Sequence, residues 1–115
     1  MSLIPQQGAF LSDVARLIQY ANNLGLYVTG DELYRPQILQ QIYFDQGKSK
    51  TLHSRHGMRL AIDLYFFRMG DDEPLTDEGM INMIASYWKS LNPNNVWGGD
   101  FPGLHDTPHF ERGHL

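Results

Sequence analysis

Residues 60–67, Leu-Ala-Ile-Asp-Leu-Tyr-Phe-Phe, alternate without a break, and this run constrains the chain more than any other. A side-chain period of two sends Leu60, Ile62, Leu64 and Phe66 to one face of a strand, and Ala61, Asp63, Tyr65 and Phe67 to the other. The first face is wholly apolar and demands a core. The second holds one carboxylate, Asp63, among apolar and aromatic neighbours, an unusual place for a charge. Such a strand needs cover, and the flanking segments supply helices. Residues 12–24 predict a helix, with Ser12 as its cap, Val14, Leu17, Ile18 and Ala21 at three- and four-residue spacing, and Gly25 as its stop. Residues 26–28 predict a short strand. A second helix is expected over 36–46, with Pro36 in its first turn, Ile38, Leu39, Ile42 and Tyr43 facing inward, and Gly47 ending it. Thr76 is expected to cap a third, with Asp77 and Glu78 in its first turn and Ile81, Ile84, Trp88 and Leu91 as its buried stripe. Residues 92–108, rich in Gly, Pro, Asn and Asp, read as loop, and 109–111 as a last short strand. The expectation is one small α+β domain over residues 1–115, helices packed on a short antiparallel sheet.

Composition limits the chemistry. No cysteine occurs in the 115 residues, which rules out a disulfide scaffold, a Cys nucleophile and thiolate zinc motifs. A metal would have to be held by His, Asp or Glu. The formal net charge of −4 argues against general nucleic-acid binding, which wants a basic face. Residues 1–8 have neither the charged nor the apolar region of a signal peptide. The most apolar stretch, 60–69, is interrupted by Asp63 and Arg68 and is too short to span a bilayer. A soluble monomer made in a cytoplasm, with no membrane insertion, is expected.

Among the titratable residues, His56 precedes the alternating run and Asp63 lies within it, while Asp106 and His109 sit three apart near the C-terminus. Two imidazoles and a carboxylate are a common ligand set for catalytic zinc, with a carboxylate nearby as base. On spacing alone, a surface histidine followed by a solvated aspartate is the plainer reading of the first pair. His53 and His105 stand at helical distance from His56 and His109, but neither segment reads as helix; His114 lies in the tail. Glu111 has two readings, a partner for a ligand imidazole or a charge at a strand edge. Trp97 and Phe101 either line a cleft or pack.

Two longer patterns narrow these alternatives. Ser54, His56, Ala61 and Asp63 resemble the S-x-H-x-x-G-x-A-x-D signature of the VanY-like zinc D-Ala-D-Ala peptidases. That superfamily includes the phage L-alanyl-D-glutamate endopeptidases and has hedgehog-type relatives. Trp97-Gly98-Gly99, followed by Asp106-Thr107-Pro108-His109-Phe110-Glu111, is similar to the family's W-G-G…D-x-x-H-F-E ending. The resemblance implies a hedgehog/DD-peptidase-like fold and one Zn2+ per chain held by His56, Asp63 and His109. It also implies Asp106 as general base, and Arg35 as the arginine that steadies the oxyanion, although Glu32-Leu33-Tyr34-Arg35-Pro36 follows the family's turn loosely. Arg35 can instead pair with Glu32 or Asp31. Ser54 is implicated in substrate binding, or else it serves the local backbone. Arg59 stands where the family has glycine; it removes a permissive backbone position and adds a cation beside the metal loop.

Residues 46–62 hold Lys48, Lys50, Arg55 and Arg59 and no acid. A basic loop beside the site favours an anionic substrate, and peptidoglycan stem peptides carry free carboxylates. The expected activity is hydrolysis of a stem-peptide amide, as an L-alanyl-D-glutamate endopeptidase of the endolysin type without a cell-wall-binding domain. Asp106 favours this branch, since the dipeptidase branch has Glu there. The rivals are a D-Ala-D-Ala carboxypeptidase, a non-catalytic zinc-stabilised wall-binding module, and a virion protein with the same chemistry. Action at the wall is expected, reached through a phage holin or in a virion.

Overall fold

The computed structural model describes residues 2–51 and 53–113; His114 lies outside them. Among the described residues there are three α-helices and four strands: α1 (Ile4–Asn23), β1 (Leu26–Asp31), α2 (Gln37–Asp45), β2 (Ala61–Arg68), α3 (Glu78–Leu91), β3 (Asn95–Trp97) and β4 (His109–Arg112). The strands form one antiparallel sheet in the order β1-β2-β4-β3. This is the expected α+β architecture, with α1 and α3 on one face of the sheet and α2 bordering the other. No helix among the described residues is long and apolar enough to cross a membrane.

The alternation of β2 decides which face is which. Leu64 and Phe66 are buried with Phe110 of β4 beneath α1 and α3. Phe10 and Phe110 each meet Trp88 edge-on, at 5.7 and 5.8 Å between ring centres. Asp63 and Tyr65 therefore project from the opposite face.

Several expectations are corrected. α1 begins at Ile4, not Ser12, with Pro5 in its first turn. Proline there sacrifices no helical hydrogen bond, and the earlier start brings Phe10, fully buried, onto the stripe of Val14, Leu17 and Ala21. α3 is capped by Asp77, not Thr76, the carboxylate accepting from the Met80 N–H at 3.1 Å. The loop after α3 contains β3, too short to show periodicity. α2 is the clearest reversal. Ile38 is 76 % exposed and Ile42 44 %, and the residue the helix buries is Gln40.

A buried ion pair ties the ends of the chain together. Asp13 Oδ2 of α1 accepts from Arg112 Nη2 of β4 at 2.8 Å and from Asn95 Nδ2 of β3 at 3.2 Å, and all three residues are at most 6 % exposed. Asp13→Ala leaves the Arg112 guanidinium buried and unpaired. The expected loss is about 3–5 kcal/mol of unfolding free energy, read from a denaturant titration. A loss below 1 kcal/mol would mean that water reaches Arg112.

Candidate metal centre

The site lies on the open face of the sheet, where β2 meets β4. Register pairs Asp63 directly with His109, so both side chains stand on one face within reach of each other. His56 comes from a 3₁₀ turn, Arg55–Met58, just before β2. Ser54 caps that turn, its Oγ accepting from the His56 N–H at 3.2 Å. Arg59 closes it in the left-handed conformation, φ 55°. Glycine adopts that region freely and other residues at a cost of roughly 1–2 kcal/mol, which accounts for the glycine of the related signature.

Trp97-Gly98-Gly99 has an equally local explanation. A β-carbon at Gly98 would collide with the Asp106 carbonyl and the His109 β-carbon, and one at Gly99 would strike the Trp97 ring. The absent side chains let the 98–106 segment close against β4, with the Asp106 N–H on the Gly98 carbonyl at 3.0 Å.

His56, Asp63 and His109 present three ligand atoms within 4.8 Å of one another. His56 Nε2 lies 3.4 Å and His109 Nδ1 3.5 Å from the same oxygen, Asp63 Oδ1. Ligands about 2.0–2.1 Å from a tetrahedral ion stand roughly 3.4 Å apart, so these separations suit a shared cation. Both His56 ring nitrogens and Asp63 Oδ1 are buried without a hydrogen-bond partner. Orphaned buried polar atoms are costly, and a cation among them would satisfy one nitrogen and the oxygen together. The donor set fits a metal.

The three groups also shift one another's titration in the metal-free protein. Burial alone would raise the Asp63 pKa, but the His109 and His56 imidazoles beside it hold it well below the usual carboxylate range. Burial alone would lower His109, yet Asp63 and Glu111 push it up to about 9. Asp106, with Oδ2 3.9 Å from His109 Nδ1, is raised by burial; His109 opposes the shift and the like charge of Asp63 adds to it.

These residues open into a cleft of about 600 Å³. Arg35 lines it, and the pairing with Glu32 expected as one of its readings is present. The guanidinium is paired with Glu32 at 2.9 Å, bonded to Gln40 Oε1 at 2.9 Å and stacked 4.7 Å over Tyr43, yet it belongs to the cleft wall. Its own N–H donates to the His56 carbonyl at 3.1 Å, tying Arg35 to the metal loop. Ser54, Phe101 and His53 also line the cleft.

Arg59 and Trp97, expected at the substrate, are not brought to it. The Arg59 guanidinium lies 4.4 Å over Tyr34 and borders a separate groove beside α1. Trp97 is 8 % exposed within the core, its Nε1–H donating to the Thr107 carbonyl at 2.8 Å. His105 contacts the Gly99 carbonyl outside the cleft. Sequence reasoning passed over Gln40, whose Nε2 donates to Ser49 Oγ at 2.9 Å and also to the Thr51 carbonyl, fastening the basic loop to Arg35. A glutamine within an apolar pattern was the one available signal. Tyr65, two residues beyond Asp63 on the same face, also lines the cleft.

Residues 47–112 match the Peptidase_M15_4 family, D-alanyl-D-alanine carboxypeptidase. No curated protein matches the chain in sequence. Among solved structures it is similar to the L-Ala D-Glu endopeptidase ChiX of Serratia marcescens, with 25 % identity and a TM-score of 0.66 over 88 % of this chain and 78 % of that one. It shares its fold with the vancomycin-resistance D,D-pentapeptidase VanY of a VanB-type cassette, solved in complex with Zn(II). That likeness has 16 % identity and a TM-score of 0.61, over 91 % of this chain and 71 % of the other. The family match covers more than half of the sequence and contains His56, Asp63, Asp106 and His109, and on that ground the chain belongs to the Peptidase_M15_4 family.

Proposed function

We propose that the protein is a zinc peptidase that hydrolyses an amide bond in the peptide stem of bacterial peptidoglycan, as an L-alanyl-D-glutamate endopeptidase. The observation that carries this reading is the trio of His56, Asp63 and His109, with buried donor atoms that lack partners, at the floor of a cleft. One zinc ion per chain, when bound there, would polarise the scissile carbonyl and acidify the attacking water. Asp106 stands beside the trio with a carboxylate of raised pKa, suited to take the proton of that water and return it to the leaving amine. Arg35, its direction fixed by Glu32, Gln40 and Tyr43, faces the substrate as a preorganised cation for charge developing on the attacked oxygen. Ser54 acts through the backbone of His56.

The aspartate in the base position and the likeness to the endopeptidase ChiX support the endopeptidase branch; an endolysin setting, with action at the cell wall, is part of the same proposal. The family's description and VanY support a D-Ala-D-Ala carboxypeptidase as the second reading. Mass spectrometry of purified peptidoglycan after digestion separates them. New N-terminal D-Glu is the expected product; released D-Ala would indicate the carboxypeptidase, and zinc binding without any product a wall-binding module.

The basic loop gives a further test. Lys48 and Lys50 line the cleft, and neither has an ion-pair partner among the described residues. An acidic stem peptide would meet them. The double variant Lys48→Glu, Lys50→Glu is expected to raise KM roughly tenfold, equivalent to about 1.4 kcal/mol, with kcat little changed. A peptide with its free carboxylate amidated should show no such difference between the two proteins.

A further inference from the structure

We infer that Glu111 is a positioning residue for the metal: it fixes the tautomer and orientation of His109 so that Nδ1 is the ligand atom. The inference rests on the zinc reading above and adds a residue to it.

Glu111 follows His109 by two positions on β4, so the strand period places both side chains on the open face. Its cross-strand partner in β2 is Ala61, whose single methyl leaves room for the longer carboxylate to lean toward its neighbour. Glu111 Oε1 lies 2.7 Å from His109 Nε2, the short separation of a charge-assisted hydrogen bond. Neither partner is freely solvated, with side chains 7 % and 16 % exposed.

The chemistry of the pair decides the tautomer. An ionised carboxylate only accepts, so Nε2 must carry the proton it donates. In the neutral ring this leaves the lone pair on Nδ1, the nitrogen that faces Asp63 Oδ1 at 3.5 Å. Without Glu111 the ring is free to hold its proton on either nitrogen and to rotate about χ2. His56 is the contrast within the same site. Neither of its ring nitrogens has a hydrogen-bond partner, and it is held by burial at 1 % exposure. Orientation by a carboxylate is thus supplied to one of the two imidazoles, the one carried by an open strand face rather than enclosed by a turn.

The test compares Glu111→Ala and Glu111→Gln with the wild type. Zinc dissociation constants are measured by competition with a chelator, and the His109 tautomer in the zinc-loaded protein by long-range nitrogen–proton NMR. Glu111→Ala is expected to weaken zinc binding about 10–100-fold, the usual effect of losing such a partner. Glu111→Gln, whose amide oxygen still accepts from Nε2–H, should recover most of that loss, and the wild-type spectrum should show the proton on Nε2. Zinc affinity of Glu111→Ala within twofold of wild type overturns the inference, leaving Glu111 a strand-edge charge. So does a proton on Nδ1 of the zinc-loaded wild type, or a glutamine variant as weak as the alanine one. Should Glu111→Ala fail to fold, the wild-type spectrum and the glutamine variant decide alone. A wild-type protein with no zinc affinity would remove the zinc reading itself, a different result from equal affinity in wild type and variant.

Discussion

Asp106→Asn is expected to keep zinc and the fold while lowering turnover by about 10²–10⁴-fold, the usual contribution of a positioned general base. The separation of effects follows from where the residue sits. Its side chain is 40 % exposed at the cleft, outside the core, and its structural work is done by the backbone: the N–H donates to Gly98 and the carbonyl accepts from the His109 N–H at 3.1 Å. Asparagine preserves those bonds and the volume. What it removes is proton affinity. In the metal-free protein burial raises the Asp106 pKa, so the carboxylate has more proton affinity than an ordinary surface aspartate. The check is threefold: metal content by elemental analysis, thermal melting, and wall-fragment release per unit time. Wild-type lysis by the variant would show that another group takes the proton, and Glu111, in the same cleft, would be the next to test. A parallel loss of zinc would make Asp106 a ligand.

How much of this was legible in the sequence depends on the kind of signal each part carries. β2 was readable because a period of two is unambiguous over eight residues, and the same alternation marked Asp63 as a carboxylate on an otherwise apolar and aromatic face. The pairing of His109 with Asp63 was not readable, since register depends on contacts between distant segments, yet the two short patterns pointed at both residues. α1 starts earlier than its pattern predicts because Leu3 at its N-cap supplies no side-chain cap and Gly8 follows its first turn; Pro5 is the cue that marks the true start. α2 failed for a different reason. Counting apolar residues assumes that the apolar side is the buried one, and here the buried position belongs to Gln40, whose hydrogen bonds to Arg35, Ser49 and Thr51 no pattern of hydropathy records. Arg59 shows the same limit. The sequence places it two residues from the metal loop's Gly57, but a left-handed φ turns the chain there and its side chain lies on Tyr34 instead of in the cleft.

His56→Ala is expected to abolish zinc binding and turnover together, and most of its effect on stability should be visible only when metal is present. In the wild type, zinc that binds the folded chain alone stabilises it by mass action, by about 4 kcal/mol at a thousandfold excess over the dissociation constant. For a domain of this size that raises the melting temperature by roughly 15 °C, and a chelator should reverse the rise. His56 supplies one of three donors from a turn that Ser54 and the Arg35 N–H hold in place, so no neighbouring side chain can replace it without moving that turn. Alanine also removes two buried nitrogens that have no partner in the metal-free protein. The relief of that burden offsets part of the cavity left by the ring. The metal-free variant should therefore melt close to the metal-free wild type, and zinc should leave it unmoved. A variant that still gains 15 °C on adding zinc would place the metal away from His56, and with it the water, the base and the cleft as arranged above. A variant already unfolded without metal would instead make the imidazole a core residue. The metal-dependent difference in melting separates those two outcomes, which a loss of activity alone would confound.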